Sequence, residues 1–160
     1  NKDDLIFEAL GDLDELSAHI GLLCVKTVGF DYVLRKIQSK LLDIGSDIST
    51  LIKRDKIVPI TKEDVSEIER QMDIWCDKTS PLKEFILVGA GEADAIAHIC
   101  RAVCRRAERH LWKAKREYVL ETGQETFKYI NRLSDMFFAL GRLLSERGGF
   151  QEIRRSEYQK

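Results

Sequence analysis

The chain has 160 residues, 44% of them hydrophobic, and a formal net charge of −1. That is enough apolar material for one well-buried core, while the near-neutral balance gives no general attraction to nucleic acid or to anionic membranes. No apolar run approaches the roughly 20 residues of a membrane span, and the four cysteines (Cys24, Cys76, Cys100, Cys104) form no C-x-x-C pair, which argues against a disulfide framework or zinc site and favours a reducing compartment.

Only two prolines, Pro59 and Pro81, interrupt the chain, so long helices are allowed. A first helix is predicted from Asp4 to Val25, with Ala9, Leu13, Leu16, Ile20 and Leu23 on one face. A second, from Asp31 to Ile52, carries Leu34, Ile37, Leu41, Ile44, Ile48 and Leu51 at alternating spacings of three and four, the cleanest periodicity in the sequence. Thr61-Lys62-Glu63-Asp64 has the form of a capping box opening a third helix, whose buried stripe is Val65, Ile68, Met72 and Trp75. After Pro81 comes the short apolar run Phe85-Ile86-Leu87-Val88, too short for a helix and without an evident pairing strand. Gly89-Ala90-Gly91 follows; its N–H groups could face an anion, but the segment reads more simply as a joint. A fourth helix is predicted from Glu92 to Glu121 and a fifth from Thr126 to Arg147, with Ile130, Leu133, Phe137, Leu140 and Leu144 inward and Gly148-Gly149 as its stop. The reading is an all-α, five-helix, up-and-down bundle over residues 1–150, with residues 151–160 a loose polar tail. Phe138, Trp112 and Val103 lie off the seams and suit an oligomer contact.

A ferritin-like di-metal centre needs two Glu-x-x-His pairs. Here Leu16, Ala95 and Ala107 stand three residues before His19, His98 and His110, so that centre cannot form. No phosphate-loop motif is present either. The strongest local signal is in the fourth helix, where Arg101, Arg105 and Arg109 recur every fourth residue and Glu108 joins their face. Like charges at that spacing repel, so the row needs an anion or a partner's carboxylates to be favourable. A basic run is usually a solvated face, but Ala102, Val103, Cys104 and Ala107 make the flanks small and apolar, which favours a polyphosphate held between packed helices. Two further polar groups are Asn131-Arg132-Leu133-Ser134-Asp135 in the fifth helix and Gly11-Asp12-Leu13-Asp14-Glu15-Leu16 in the first.

Taken together, these segments resemble the trimeric PduO-type ATP:corrinoid (cob(I)alamin) adenosyltransferases. The resemblance rests on Gly11-x-x-Asp14-Glu15-Leu16, on Ile37-Gln38 with Asp43-Ile44-Gly45, and on Phe85-Ile86-Leu87. It rests above all on His98-x-x-Arg101-x-x-x-Arg105-Arg106-Ala107-Glu108-Arg109 and Asn131-Arg132-Leu133-Ser134-Asp135, and it runs in order from about Lys2 to Arg147. Val88-Gly89-Ala90-Gly91 departs from the family's usual proline after Phe-x-Leu. The family's triphosphate-wrapping segment lies before the first helix, upstream of Asn1, so nucleotide binding is expected to be impaired without it.

The resemblance implies a left-handed bundle assembled as a homotrimer with active sites between subunits. It implies transfer of the 5′-deoxyadenosyl group of ATP to the cobalt of reduced cobalamin, with release of triphosphate. By carry-over, Lys2, Arg105, Arg106, Glu108, Arg109 and Asn131 line ATP, and Arg105 stabilises the departing triphosphate. Mg²⁺ rides on the phosphates near Glu108 without a direct protein metal site. Phe85 faces the corrinoid from below, and Arg101 pairs with Asp14 of a neighbouring subunit. A reductase or a cobalamin-dependent enzyme is an expected partner; nucleic acid and membrane are not. The setting is the cytoplasm, or the mitochondrial matrix in a eukaryote. The rivals are a noncatalytic helical module that binds RNA or a partner through the basic helix, and a degenerate family member that carries cobalamin.

Overall fold

The computed structural model describes residues 4–49, 58–118 and 120–159. Five helices dominate: α1 (Leu5–Lys26), α2 (Asp31–Ser49), α3 (Lys62–Cys76), α4 (Glu92–Tyr118) and α5 (Gln124–Arg147). Two-residue strands β1 (Ile86–Leu87) and β2 (Ile153–Arg154) and a 3-10 turn at Arg155–Tyr158 complete them. The expected last turn of the second helix, with Leu51, lies outside the described residues. At the start of α3 the capping box is formed: Asp64 N–H donates to Thr61 Oγ1 at 3.2 Å, and Thr61 N–H donates to the Asp64 carboxylate at 2.9 Å. This satisfies two backbone donors that a helix start leaves without partners.

Side-chain pairs fix the directions of the helices. Lys26 meets Glu92 at one end of α1 and Arg106 meets Asp12 nearer the other, so α1 and α4 run antiparallel. The Cys104 thiol donates to the Ile130 carbonyl, Trp112 stacks on Phe127 and His98 lies beside Gly141, so α4 and α5 are antiparallel too. Lys36–Glu67 and Lys40–Asp64 set α2 against α3, whereas Arg132–Glu69 and Ser80–Glu146 show α3 parallel to α5. The chain therefore runs up, down, up, down, up around one core. The stripe predicted in α1 and the described part of that in α2, Leu34 to Ile48, are buried, as are Val65, Ile68, Trp75, Ile130, Leu133, Phe137 and Leu140; Met72 and Leu144 pack at the margin of the core. Burial raises the thiol pKa values, that of Cys100 to about 12, so Cys100 and Cys104 behave as small core residues.

Three expectations are corrected. The run Phe85–Val88 does find a partner: β1 pairs antiparallel with β2, Ile86 opposite Arg154 and Leu87 opposite Ile153. The tail is consequently not loose. Arg142 pairs with Glu152 and also donates to the Ser80 carbonyl, while Phe150 folds over Gly91 and Gly148, where a Cβ would stand 2.7 Å from its ring. A polar composition hid this because backbone pairing and ion pairs, not apolar periodicity, hold the tail. Val103 is buried in the core, leaving Trp112 and half-buried Phe138 as the off-seam aromatics at the surface.

Candidate active site

Two faces of α4 divide the basic residues. Arg106 turns toward α1, where its guanidinium donates to Asp12 at 2.9 Å and to Glu15, and His110 Nδ1 stands 2.7 Å from the other Asp12 oxygen. The acidic cluster of α1, which had no counter-charge nearby in sequence, thus finds one across the bundle. Arg101, Arg105, Glu108 and Arg109 turn the other way. The Arg101 guanidinium lies 5.5 Å from the centre of the Phe138 ring. Glu108 accepts a hydrogen bond from Asn131 Nδ2 at 3.1 Å, which ties the two most specific motifs together across α4 and α5. Arg109 donates to the Arg105 carbonyl at 3.0 Å, and neither Arg105 nor Arg109 has an ion pair among the described residues. Two exposed cations one turn apart, on the helix face that carries the Glu108–Asn131 bond, have the chemistry to hold an anion.

Next to Glu108 and Asn131 opens a cavity of about 210 Å³ that Trp112, Gln124, Phe127 and Lys128 also line. The Trp112 and Phe127 rings stack at 4.1 Å between centroids, and Lys115 Nζ stands 4.8 Å above Phe127. Sequence reading missed Gln124, Phe127 and Lys128 and gave Trp112 only an oligomer role. A usable signal was the spacing Phe127-x-x-x-Asn131, which puts both on one face of a helix. Within Asn131–Asp135, Leu133 and Ser134 are buried, Ser134 Oγ donates to the Asn131 carbonyl, and Arg132 pairs with Glu69 and Asp135. Arg132 and Asp135 thereby brace α3 and α5 rather than joining the cavity.

Phe85 lies elsewhere on the protomer. It is 77% exposed, and its carbonyl accepts from Arg155 N–H at 3.0 Å. Leu87 and Val88 are exposed beside it, so this segment presents an apolar surface. The glycine turn that follows does bind an anion, but an internal one: Asp94 accepts from Gly89 N–H at 3.0 Å and Ala90 N–H at 2.8 Å. Asp14 is exposed and lines a groove of about 220 Å³ between α1 and α2 with Leu10, Ser17, Leu42 and Gly45. No ion pair joins Asp14 to Arg101 within the protomer. Lys2 lies outside the described residues.

Residues 1–144 match the family model described as cobalamin adenosyltransferase. The chain is 39% identical over 160 residues to corrinoid adenosyltransferase MMAB of Mus musculus, an alignment covering 94% of this chain and 67% of that protein. It is 36% identical over 167 residues to the corrinoid adenosyltransferase of Bacillus subtilis, covering 100% of this chain and 83% of that one. A phenylalanine-to-alanine variant of the PduO-type ATP:corrinoid adenosyltransferase of Lactobacillus reuteri, complexed with cobalamin and ATP, superposes with a TM-score of 0.88 at 26% identity over 96% of this chain and 87% of that one. An arginine-to-lysine variant of that protein, complexed with ATP, superposes with a TM-score of 0.86 at 27% identity over 96% of this chain and 89% of that one.

Proposed function

The chain belongs to the cobalamin adenosyltransferase family, and on that premise we propose that it transfers the 5′-deoxyadenosyl group of ATP to the cobalt of a reduced corrinoid. The cobalt(I) electron pair forms the Co–C5′ bond, the C5′–O bond breaks, and its electrons leave on triphosphate. Cobalt(I) is itself the nucleophile, so the protein needs no general base. Its work is to bring C5′ over the metal and to stabilise the leaving group. The observation that carries this reading is the Asn131–Glu108 bond with Arg105 and Arg109 alongside, next to an aromatic-floored cavity. The exposed Trp112 ring, backed by buried Phe127, offers an aromatic face at the scale of a base, and the two guanidiniums supply forked donors to phosphate oxygens. Mg²⁺, a hard cation that takes oxygen ligands, would be held by the triphosphate and water with the Glu108 carboxylate beside it, lowering the charge the arginines must meet. Arg106 serves by setting α4 against α1, since its guanidinium is already occupied by Asp12 and Glu15.

The test is anaerobic incubation of the protein with saturating ATP, Mg²⁺ and chemically reduced cobalamin. The adenosylcobalamin spectrum should appear. Tight cobalamin binding without turnover would point to a carrier, and RNA binding that falls steeply with salt would point to the nucleic-acid module.

The functional unit is a homotrimer with the sites between copies. Exposed Phe7, Tyr32 and Leu42 and the groove beside Asp14 support this, because a monomer would leave that apolar surface in water. Arg101 of one protomer then meets Asp14 of the next. Asp14→Asn is expected to weaken both trimer and ATP affinity at least about tenfold, because Arg101 would be left buried without its counter-charge. Sedimentation equilibrium and nucleotide titration measure the two effects; a trimer of unchanged stability would exclude the pair.

Phe85 closes the lower face of the corrin, where an apolar ring excludes water and the nucleotide tail and leaves cobalt four-coordinate and easier to reduce. Phe85→Ala should spare fold and ATP affinity, as expected for so exposed a side chain. It should slow adenosylation from cob(II)alamin at least about tenfold more than from pre-reduced cob(I)alamin. Equal losses from the two starting states would leave Phe85 without that role. A reductase is the partner this chemistry calls for. A reducing compartment, cytoplasmic or in the mitochondrial matrix, suits both cob(I)alamin and four free cysteines.

A further inference from the structure

Beside β1, the first turns of α4 hold a buried charge that the proposed reaction does not use. Asp94 is 4% exposed and His98, one turn on, is 6% exposed. One Asp94 oxygen faces His98 Nε2 at 3.1 Å, and the other accepts the Gly89 and Ala90 N–H groups. Burial pushes the Asp94 carboxyl up, but contact with His98 and the two N–H donors outweigh it and hold its pKa below the ordinary carboxylate value. The pair fits because α5 has Gly141 opposite: a Cβ there would come within 2.9 Å of His98 Nε2 and 3.1 Å of the Asp94 carboxylate. The Phe138 ring packs edge-on against His98 at 5.7 Å. A carboxylate buried at this depth is costly unless paired and hydrogen-bonded, and an apolar side chain would fill the space at no such cost. Its two backbone bonds go to a turn in which Gly89 has φ +95° and Val88 is exposed, so the Val88 side chain does little to hold it. The turn follows the C-terminal end of β1, and Phe85 immediately precedes the N-terminal end of that strand, its carbonyl held by Arg155 N–H. The short strand that Phe85 leads into is thus paired with β2 along its length and anchored beyond its far end on the Asp94 carboxylate.

We propose that Asp94, seated on His98 and admitted by Gly141, is a positioning residue that fixes the Gly89–Ala90 turn and so, through β1, sets the position of Phe85 against the corrinoid. The proposal rests on the corrin-facing role given to Phe85 above. Asp94 touches neither substrate and acts only through the turn.

The first test needs no variant: hydrogen exchange should show the Gly89 and Ala90 amides protected in the native protein, and free exchange at both would overturn the proposal. In Asp94→Ala those amides should exchange at least about tenfold faster. Adenosylation from cob(II)alamin should fall at least about fivefold more than from cob(I)alamin, with the Michaelis constant for ATP unchanged. Asp94→Asn, which keeps an oxygen for the two N–H groups, should restore most of both. Adding Val88→Pro to Asp94→Ala should restore the cob(II)alamin rate in part, because proline stiffens the turn covalently and Leu87, already extended in β1, can precede it. Equal losses from the two cobalt states, or no recovery in either second variant, would reduce Asp94 to a stabilising residue. Native protein that makes no adenosylcobalamin even from cob(I)alamin would instead refute the proposed function and leave the exchange result standing.

Discussion

Arg105→Ala is expected to lower kcat/KM for ATP at least about tenfold, through a raised Michaelis constant and a lowered turnover together. Of the basic residues on α4, Arg106 is held by two carboxylates of α1 and Arg101 lies on Phe138, whereas Arg105 is exposed beside the Asn131–Glu108 bond without an acidic partner among the described residues. Its charge is therefore available to a ligand. A hydrogen bond to a charged group contributes about 1.5–3 kcal/mol, and about 1.4 kcal/mol is a factor of ten in rate or affinity. The ground-state phosphates and the departing triphosphate both lose this donor, so both kinetic parameters move. Arg105→Lys should recover only part, because an ammonium keeps the charge and loses the fork. Thermal stability should hardly change, since the side chain packs against little. Steady-state kinetics with cob(I)alamin in excess measure the effect, and unchanged constants would remove Arg105 from the site.

Phe137→Ala is expected to cost about 3–5 kcal/mol of folding stability, the range for truncating a large buried aromatic. Phe137 is fully buried on α5 in a core shared with Leu16, Ile20, Leu111, Ile130 and Met136. Five helices brace that core from all sides, so it cannot collapse onto the space left behind, and the cavity adds to the lost transfer energy. Against a typical total of about 5–15 kcal/mol, this takes up a large share of the stability of the fold. Phe137→Leu should cost clearly less, because it keeps most of the volume. Equilibrium urea unfolding provides the check; a loss under about 1 kcal/mol would show that the core repacks.

Most of the architecture was legible because helix periodicity is a local property. The alternating stripe Leu34–Ile48 of α2, the capping box at Thr61 and the glycine stop after Arg147 were each read from fewer than 20 consecutive residues, and each is present. The tail was misread for the complementary reason. Ile153 and Arg154 carry no periodic signal, and their pairing partner, Ile86–Leu87, lies more than 60 residues earlier. Val103 was misplaced because the three-helix junction of α1, α4 and α5 buries a wider arc of α4 than one stripe predicts. The two motifs were legible as neighbours, since Glu108 and Asn131 do bond across α4 and α5. Their division of labour was not.

By itself the sequence determined the five helices, their inward faces and the motifs that mark the family, because each depends on residue type at a fixed local spacing. Only the tertiary structure decided which arginine is free and which is spoken for. Arg105 and Arg106 are adjacent in sequence and chemically identical. A helix rotates about 100° per residue, so Arg106 faces Asp12 and Glu15 while Arg105 is exposed. The same holds for Asp94, an ordinary acid in a first helical turn until Gly141 of α5 makes room for it and His98. Such pairings depend on which helix lies across the core, and no window of neighbouring residues contains that information.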